Sequence, residues 1–193
     1  MIRALCRPGM RIAEVGVFLG SFGQVLASTL PDELVLIDTW EGVLPSGDAD
    51  GNNVVTADLP KVYPMIVQHF SRWPWVKVRR MRSDECLATY PDEYFDIVYI
   101  DADHSYEGVK RDLNAARRKV KPGGWILGHD YDMNMLKAKN VYDFGVRQAV
   151  DEFCTQTGLK VGALGLDGCV SFGIQVPPSS RNEKGRRQGS PRS

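Results

Sequence analysis

Cysteine is scarce in this sequence of 193 residues, which contains four. Cys6, Cys86, Cys154 and Cys169 are widely separated, and they form neither a CxxC pair nor the spacing of a zinc site. A small fold held together by disulfides would need more cysteines and closer spacing. The pattern favours reduced thiols and a cytoplasmic protein.

Long apolar runs are also lacking. The first residues, MIRALCRPGMR, are interrupted by Arg3, Arg7 and Pro8 before a signal peptide could form. No later run approaches the roughly 20 apolar residues that span a membrane, so we expect no membrane partner. With 43% hydrophobic and 25% charged residues, the composition is that of a soluble globular domain with a substantial core.

Net charge is absent overall but unevenly distributed. Residues 177–193 contain five Arg or Lys residues and one Glu, which leaves 19 basic and 23 acidic residues in 1–176. The tail has no large apolar residue, so we expect a disordered basic tail at 177–193 after a single domain at 1–176. The acidic domain argues against a nucleic-acid partner. Arg186 and Arg187 could touch an anionic surface, but a solvated terminus is the simpler interpretation.

Short segments rich in Val and Ile alternate with segments of helical pattern along the domain. This alternation predicts an α/β fold, a three-layer Rossmann-like sandwich with a mostly parallel, seven-stranded sheet. Gly165, Asp167 and Gly168, at the junction of the last two strands, predict an antiparallel C-terminal hairpin. The predicted strands are 11–17, 33–39, 76–81, 95–101, 124–130, 159–166 and 169–176, and the predicted helices are 21–29, 59–73, 84–90, 105–120 and 142–158.

Polar residues end two of the predicted strands, in the segments YIDADH and LGHDY. Because the carboxyl ends of parallel strands face the ligand crevice, we expect Asp101, Asp103, His104, His129 and Asp130 to lie in one pocket. One such segment alone would indicate only a polar loop closing a buried strand. Two matched segments favour an enzyme.

A glycine loop follows the first predicted strand, with Gly16 and Gly20 in GxxxG spacing. Dinucleotide folds use GxGxxG, whose middle glycine would stand where this chain has Phe18, so a ligand without phosphates fits better. Asp38 ends the second strand, at the position where an acid can accept hydrogen bonds from ribose hydroxyls. The alternative is that Asp38 only caps the turn to Trp40. Together the loop and the acid favour a cofactor that contains a nucleoside.

Five segments, in this order, resemble the class I S-adenosylmethionine-dependent methyltransferases: EVGVFLGSFG, LIDTWEG, RSDEC, YIDADHSYEGVKRDL and KPGGWILGHDY. The resemblance covers roughly residues 9–176 and is most specific to methyltransferase family 24. That branch is similar to bacterial natural-product and sugar O-methyltransferases. The resemblance therefore implies S-adenosylmethionine as cofactor and the hydroxyl of a small molecule or sugar as acceptor.

The resemblance also implies a role for individual residues. Asp38 would hold the ribose with Trp40 close to it, and Ser83 and Asp84 would meet the adenine amino group. An exposed turn is the plain alternative for Asp84. Asp101 would lie between cofactor and acceptor. The residues lining the methionine end of the cofactor would be Glu14, Gly16, Gly20 and Ser21.

Methyl transfer to a hydroxyl requires that the acceptor lose a proton, and the candidates for removing that proton are Asp101, His104 and Asp130. His104 or Asp101 could be the base, whereas His69 lies among aromatic residues and suggests a structural role. Metal-dependent relatives bind a divalent cation such as Mg²⁺ through positions that match Asp101 and Asp130. Tyr131 stands where those relatives have Asn, which argues against a metal, although magnesium keeps several waters and can bind to two carboxylates.

Two other functions fit the sequence less well. A nicotinamide-dependent oxidoreductase is disfavoured by the GxxxG loop and by the absence of an evident Tyr-xxx-Lys pair, and a non-catalytic methyltransferase-like subunit would bind cofactor without turnover. Residues 43–60 form a long polar insertion, interpreted as a loop or lid over the acceptor. An acceptor site built by this loop and its neighbours would be shallow, and a second copy of the chain could complete it as a homo-oligomer.

Overall fold

The computed structural model describes residues 2–41, 43–46, 55–132, 145–166 and 170–179. Within these ranges the elements in chain order are α1 (Ile2–Leu5), β1 (Arg11–Val15), α2 (Ser21–Ala27), β2 (Glu33–Asp38), β3 (Val43–Ser46), β4 (Val55–Asp58), α3 (Leu59–Phe70), β5 (Val76–Arg80), α4 (Ser83–Ala88), β6 (Phe95–Ile100), α5 (Tyr106–Lys119), β7 (Val120–Asp132), α6 (Val146–Thr157), β8 (Val161–Leu166) and β9 (Val170–Gln175).

Seven strands form one sheet in the order β5-β2-β1-β6-β7-β9-β8. The pairs among β5, β2, β1, β6 and β7 are parallel, whereas β9 pairs antiparallel with both β7 and β8. The central strands are apolar on both faces because helices cover both sides of the sheet. The predicted fold class and the C-terminal hairpin are confirmed.

The direction in which successive strands are added across the sheet reverses at β1. From β1 the chain proceeds through β2 to β5 at one edge, and it then returns to pair β6 on the other side of β1. A reversal of this kind leaves a crevice beyond the carboxyl ends of the two central strands, where α/β folds bind their ligands. The topology therefore places the crevice beyond Val15 and Ile100.

Helix α5 shows how the local sequence sets the elements next to the crevice. It begins after Ser105, whose side-chain oxygen accepts a hydrogen bond of 3.1 Å from the backbone N–H of Gly108. Its last turn contains Arg117, Arg118 and Lys119, whose positive charges complement the negative end of the helix dipole. The β6–α5 loop is thereby held between a buried strand and a capped helix.

The insertion at 43–60 is not the continuous loop that the sequence suggested. Residues 43–46 and 55–58 pair as an antiparallel two-stranded sheet, and α3 begins at Leu59. Both strands contain residues that favour β structure, namely Val43, Leu44, Val55 and Thr56. The Gly and Asp residues between the strands are typical of a loop, which is why a loop was predicted. Residues 47–54 lie outside the described residues, so the prediction of a lid stays a prediction.

Two further predictions concern the ends of the domain and the membrane. The basic tail lies largely outside the described residues, which end at 179, and its disorder stays a prediction. Before that end, the backbone N–H of Val176 donates a hydrogen bond of 2.9 Å to the carbonyl of Gly124, which attaches the end of β9 to the sheet. Among the described residues, no helix has the length and apolar character needed to cross a membrane.

Candidate active site

The glycine loop after β1 lies directly against the loop after β6. Gly16 has a φ of +89°, and a Cβ atom at this position would collide with the carbonyl group of Asp101 and the Cα atom of Ala102. Only glycine tolerates both the left-handed backbone and this close approach. The loops that follow the two central strands are therefore in backbone contact.

Asp38 fixes the other side of the glycine loop. Its Oδ2 accepts hydrogen bonds of 2.9 Å from the backbone N–H groups of Val17 and Phe18, and its Oδ1 accepts one of 2.8 Å from Trp40. The capped turn that the sequence left open is thus present. The fully buried Trp40 indole donates to the carbonyl of Phe18, at 3.1 Å, and packs beneath the loop. The ribose role of Asp38 stays a prediction.

A cavity of about 560 Å³ opens beyond the carboxyl ends of β1, β2, β5 and β6. Its volume is within the range of small-molecule sites. The predicted residues on its wall are Gly16, Asp38, Ser83, Asp101, Asp103 and His104. Residues on the wall that the sequence analysis did not identify include Glu41, Met81, Arg82, Arg111 and Asp112.

The remaining residues predicted to bind cofactor, which are Glu14, Gly20, Ser21, Trp40 and Asp84, are not part of this wall. Glu14 is only 1% exposed, and its Oε2 has no hydrogen-bond partner in the structure. Burial, reinforced by the nearby carboxylates of Asp101 and Asp38, raises the pKa of Glu14 well above its usual range. Glu14 is therefore a buried carboxyl group under the loop and does not face the cavity.

Asp84 forms an ion pair with Arg82, with Nη2 and Oδ2 2.9 Å apart. Hydrogen bonding from the guanidinium of Arg82 lowers the pKa of Asp84. Arg82 itself is on the cavity wall, and Asp84 lies behind it. This arrangement matches the alternative of a surface turn better than a direct contact with adenine.

Asp112 is a buried carboxylate on α5 at the same end of the cavity. Ser83 donates a hydrogen bond from its Oγ to Asp112 Oδ1, whereas Oδ2 has no partner. Burial raises the pKa of Asp112 to about 6, so the group is mostly ionised at neutral pH. The signal in the sequence was an acid on the apolar face of a helix, beside Val109, Leu113 and Ala116.

Four of the five strand-end residues of β6 and β7 lie close together, although His129 and Asp130 are not on the wall of the cavity. His104 Nε2 is 3.2 Å from Asp101 Oδ1 and 2.9 Å from Asp130 Oδ2, so the imidazole bridges two carboxylates. His129 Nδ1 lies 3.1 Å from the other oxygen of Asp130. Asp130 has a φ of +56°, an uncommon backbone conformation that turns its side chain towards both imidazoles. Asp103 lies on the cavity wall but does not take part in this cluster.

The electrostatics of this cluster favour a positively charged imidazole. Burial lowers the pKa of His104, but hydrogen bonds to Asp101 and Asp130 outweigh it and raise the pKa to about 9. Burial works to raise the pKa of Asp130, yet its contacts with His104 and His129 hold it well below its usual range. At neutral pH the resting cluster is thus an imidazolium between two carboxylates.

The same cluster has a donor set that fits a divalent cation. One ligand atom each from Asp101, His104 and Asp130 can be chosen so that all lie within 4.8 Å of one another. Tyr131, at the position where metal-binding relatives have Asn, donates its hydroxyl to Asp151 of α6 at a distance of 2.7 Å. The structure therefore offers His104, which the sequence had considered only as a base, as the third ligand.

His69 lies outside the site, as its sequence context suggested. In α3 its ring packs edge-on against Phe70 and Trp73, with centroid distances of 5.0 and 5.7 Å. The guanidinium of Arg72 lies 3.1 Å from its Nδ1. These contacts are those of a surface aromatic cluster and not of a catalytic histidine.

Comparison with family models matches residues 13–131 to a methyltransferase domain. No curated protein matches the chain. Among solved structures, the N-methyltransferase NodS from Bradyrhizobium japonicum WM9 is 14% identical, with a TM-score of 0.63 over 91% of this chain and 92% of its own.

Two further solved structures have the same fold at low identity. Fibrillarin from Aeropyrum pernix with bound S-adenosyl-L-methionine is 13% identical, with a TM-score of 0.62 over 88% of this chain and 68% of its own. A putative O-methyltransferase from Klebsiella pneumoniae is 19% identical, with a TM-score of 0.60 over 88% of this chain and 74% of its own. At these identities the likenesses show the fold alone.

Proposed function

The chain belongs to the S-adenosylmethionine-dependent methyltransferases of family 24, whose domain model matches residues 13–131, and we propose that it methylates a hydroxyl group of a small molecule or sugar. The observation that carries the proposal is the cluster of Asp101, His104 and Asp130, of which Asp101 and His104 line the cavity. A hydroxyl acceptor must lose its proton, and this cluster consists of groups that move protons.

An amine acceptor is the main chemical alternative. A neutral amine attacks the sulfonium through its lone pair, but an aliphatic amine is an ammonium ion at neutral pH and must lose a proton first. A hydroxyl gains from all three groups of the cluster, because its nucleophilicity depends on removal or sharing of its proton.

We propose that the cofactor lies across the carboxyl ends of the strands in the order of the sheet. The base would be near Met81 and Ser83 after β5, and the ribose near Asp38 and Glu41 after β2. The methionine portion would approach Gly16 after β1. Support comes from the cavity, which is continuous along these three residue groups. The methyl group would then point towards Asp101 and His104.

The ribose contact is expected to be shared between two acids. Three backbone N–H groups already donate to Asp38, which leaves one lone pair of Oδ1 for a hydroxyl. Glu41 is exposed on the same wall and can accept from the second hydroxyl. Asp38 would thus contribute mainly by holding the loop in position.

The transfer itself is an in-line displacement at carbon. The donor is already activated by its positive sulfur, so the protein must align acceptor oxygen, methyl carbon and sulfur and must handle one proton. Asp101 lies on the wall between the cavity and His104, where its carboxylate can accept that proton directly. His104 can accept it only after losing its own, because its pKa is about 9.

A divalent cation such as Mg²⁺ offers the second route, and Asp101, His104 and Asp130 would hold it. The ion would lower the pKa of the acceptor hydroxyl and replace the proton of the imidazole as the positive charge of the cluster. The two routes make different demands on His104. In one it titrates, and in the other it stays neutral as a ligand.

We also propose a cytoplasmic location and a small-molecule partner. Cys6, Cys86 and Cys154 are free thiols among the described residues, as expected in a reducing compartment. A nucleic-acid acceptor is not expected from the acidic domain. A homo-oligomer stays a prediction.

Calorimetry and a turnover assay test the proposed function. S-adenosylmethionine and S-adenosylhomocysteine should bind at micromolar levels, and a panel of sugar and phenolic hydroxyl acceptors should release S-adenosylhomocysteine. Binding of NAD with neither methionine nucleoside would overturn the assignment of the cavity. Cofactor binding without turnover on any acceptor would favour the non-catalytic alternative.

Removal of metal then separates the two routes. EDTA should abolish turnover only if a cation is required, and added Mg²⁺ should restore it. Replacement of His104 by Ala should abolish turnover in the metal-free route, in which activity also rises with pH towards about 9. Turnover that resists both EDTA and His104→Ala would leave Asp101 as the sole base.

A further inference from the structure

The loop that carries Asp101 and His104 is in backbone contact with the protein on two sides. On one side Gly16 meets the backbone of Asp101 and Ala102. On the other side lies Gly145, the buried residue at the start of α6. Its backbone N–H donates a hydrogen bond of 2.9 Å to the carbonyl oxygen of His104. The start of α6 therefore holds the backbone of the histidine whose side chain joins the two carboxylates.

Position 145 has no room for a side chain. Its backbone is ordinary, with a φ of −88°, so the requirement for glycine is one of space. A Cβ atom there would lie 2.5 Å from the Cα and Cβ atoms of Tyr106, and closer still to its backbone nitrogen. Non-bonded carbon atoms normally pack at roughly 3.5 to 4 Å. An alanine would therefore have to separate the start of α6 from the loop by about 1 Å, and no side-chain rotation relieves a clash with backbone atoms.

The imidazole of His104 has little tolerance for a displacement of this size. Its Nε2 is 3.2 Å from Asp101 Oδ1 and 2.9 Å from Asp130 Oδ2. Hydrogen bonds between nitrogen and oxygen need a separation of roughly 2.7 to 3.2 Å. Asp130 belongs to β7 and not to the loop, so it does not follow a movement of the loop. A shift of about 1 Å would therefore break at least one of the two contacts.

Side chains fasten α6 to α5 and prevent α6 from simply moving away. Tyr106, the first residue of α5, donates its hydroxyl to Glu152 Oε2 of α6 at 2.5 Å. Lys110 Nζ donates to the other oxygen of Glu152 at 3.0 Å. A withdrawal of α6 would stretch these bonds, so the loop has to yield when position 145 is enlarged.

We infer that Gly145 is a positioning residue for methyl transfer, which keeps the His104 imidazole in contact with Asp101 and Asp130. Its N–H holds the backbone of His104, and its lack of a side chain lets α6 approach the loop. This role rests on the proposed function, in which the cluster either moves the proton or holds a cation, and both routes need His104 in this place. Gly145 is not on the cavity wall, so cofactor affinity should not depend on it.

The first test separates rate from affinity in Gly145→Ala. At saturating S-adenosylmethionine, methyl transfer should fall by about tenfold or more, because a misplacement of about 1 Å costs that much. The affinity for S-adenosylhomocysteine, measured by calorimetry, should stay as in the wild type. An effect that acts through His104 should vanish when His104→Ala is already present. Losses of rate that simply add in the double variant would contradict the inference.

Gly158→Ala is the matched control, at the other end of the same helix. Gly158 has a φ of +71°, and a Cβ atom there meets nothing within 4 Å. The substitution strains the backbone and destabilises α6 without touching the loop. It should lower the melting temperature and leave the rate of methyl transfer as in the wild type. An equal loss of rate in both variants would mean that the instability of α6, and not the position of His104, is responsible.

Magnetic resonance gives a result that does not depend on turnover. In protein with ¹⁵N-labelled histidine and EDTA, the Nε2 proton of His104 should give a downfield resonance that Gly145→Ala loses and Gly158→Ala keeps. If the wild type shows this resonance but methylates no acceptor, the proposed function fails and the positioning role stands. If Gly145→Ala keeps both the resonance and the wild-type rate, only the positioning role fails.

Two further measurements cover the case in which Gly145→Ala does not fold. In the wild type, a scalar coupling across the hydrogen bond should join the amide nitrogen of Gly145 to the carbonyl carbon of His104. Tyr106→Phe removes the hydroxyl that binds Glu152 but leaves the backbone unchanged, and it should lower the rate by less than Gly145→Ala with no change in affinity for S-adenosylhomocysteine. Absence of the coupling together with a full rate in Tyr106→Phe would overturn the inference.

Discussion

Asp38 and Asp130 are both strand-end carboxylates of the same crevice, and their partners are of different kinds. Asp38 accepts three hydrogen bonds from backbone N–H groups, whereas Asp130 accepts from the imidazoles of His104 and His129. Backbone donors cannot leave or change charge, but imidazoles lose a proton in the accessible pH range. The first arrangement fixes a loop, and the second can take part in chemistry.

In this fold, residue type and position alone do not predict the role of an aspartate at the end of a strand. Two aspartates with equivalent positions at strand ends acquire different roles because their surroundings supply different donors. The glycine-loop side is expected to affect cofactor affinity, and the histidine side is expected to affect turnover. Variants on the two sides should therefore separate binding from rate.

The largest effect is expected on the histidine side. Asp101→Ala and Asp130→Ala should each lower methyl transfer by at least about a hundredfold, because an acid–base or electrostatic group is lost. Affinity for S-adenosylhomocysteine should change little by comparison. Release of that product at saturating cofactor measures the rate. Undiminished turnover in both variants and in His104→Ala would show that the chemistry takes place elsewhere.

On the glycine-loop side we expect a smaller effect, which changes cofactor affinity and not the rate of methyl transfer. Asp38→Ala should weaken both methionine nucleosides by roughly 1.5 to 3 kcal/mol, because charge-assisted hydrogen bonds to the loop and the ribose are lost. Calorimetry measures this change, and Glu41→Gln is the companion variant that leaves the loop bonds in place. If Asp38→Ala binds cofactor normally, the loop does not need its carboxylate clamp.

The two sides should also differ in how stability depends on pH. The pKa of His104 is about 9 in the folded protein and about 6.5 in an unfolded chain, so the stabilisation is complete below pH 6.5 and is lost as pH rises through 9. Allowing for partial solvent screening, we expect a loss of about 1 to 2 kcal/mol in the free energy of unfolding.

Urea unfolding between pH 6 and 10, with EDTA present to exclude bound cations, measures this dependence. His104→Phe should flatten the curve over this window, whereas Asp38→Ala should lower it without changing its slope. A wild-type curve that is level from pH 6.5 to 9 would contradict the bridged imidazolium described above.

The smallest effect is expected outside both regions. Deletion of residues 177–193 should leave the melting temperature and the cofactor affinity nearly unchanged, because no core residue is removed. Val176, whose backbone bonds to Gly123 and Gly124 secure the end of β9, remains in the shortened chain. A fall of several degrees in a thermal melt would show that the tail docks on the domain.

Sequence patterns predicted the sheet because its strands are short, apolar and separated by turn residues. The convergence of Asp101, His104 and Asp130 was predictable for a similar reason, since parallel strands end at one edge. Such patterns locate a residue but do not say which partner its side chain meets. Asp84 was predicted to meet adenine, and the structure shows its pairing with Arg82; Glu14 was predicted to line the methionine end of the cofactor, and the structure shows its burial.

Asp112, in contrast, was not predicted as a site residue from the sequence. It stands within a helix, where an isolated acid is usually exposed, and only the packing of α5 against α4 brings it to Ser83. The hairpin of β3 and β4 was missed because its short strands flank a run of Gly, Asp and Asn. For Asp112, tertiary packing and not local composition decided the outcome.

The backbone contact at Gly16 restricts how this protein could be redesigned. Any larger residue there would push the loop after β1 away from Asp101. A library intended to change the acceptor should therefore keep position 16 constant. Positions 82 and 112 also line the cavity, and variation there leaves the contact between the two loops in place.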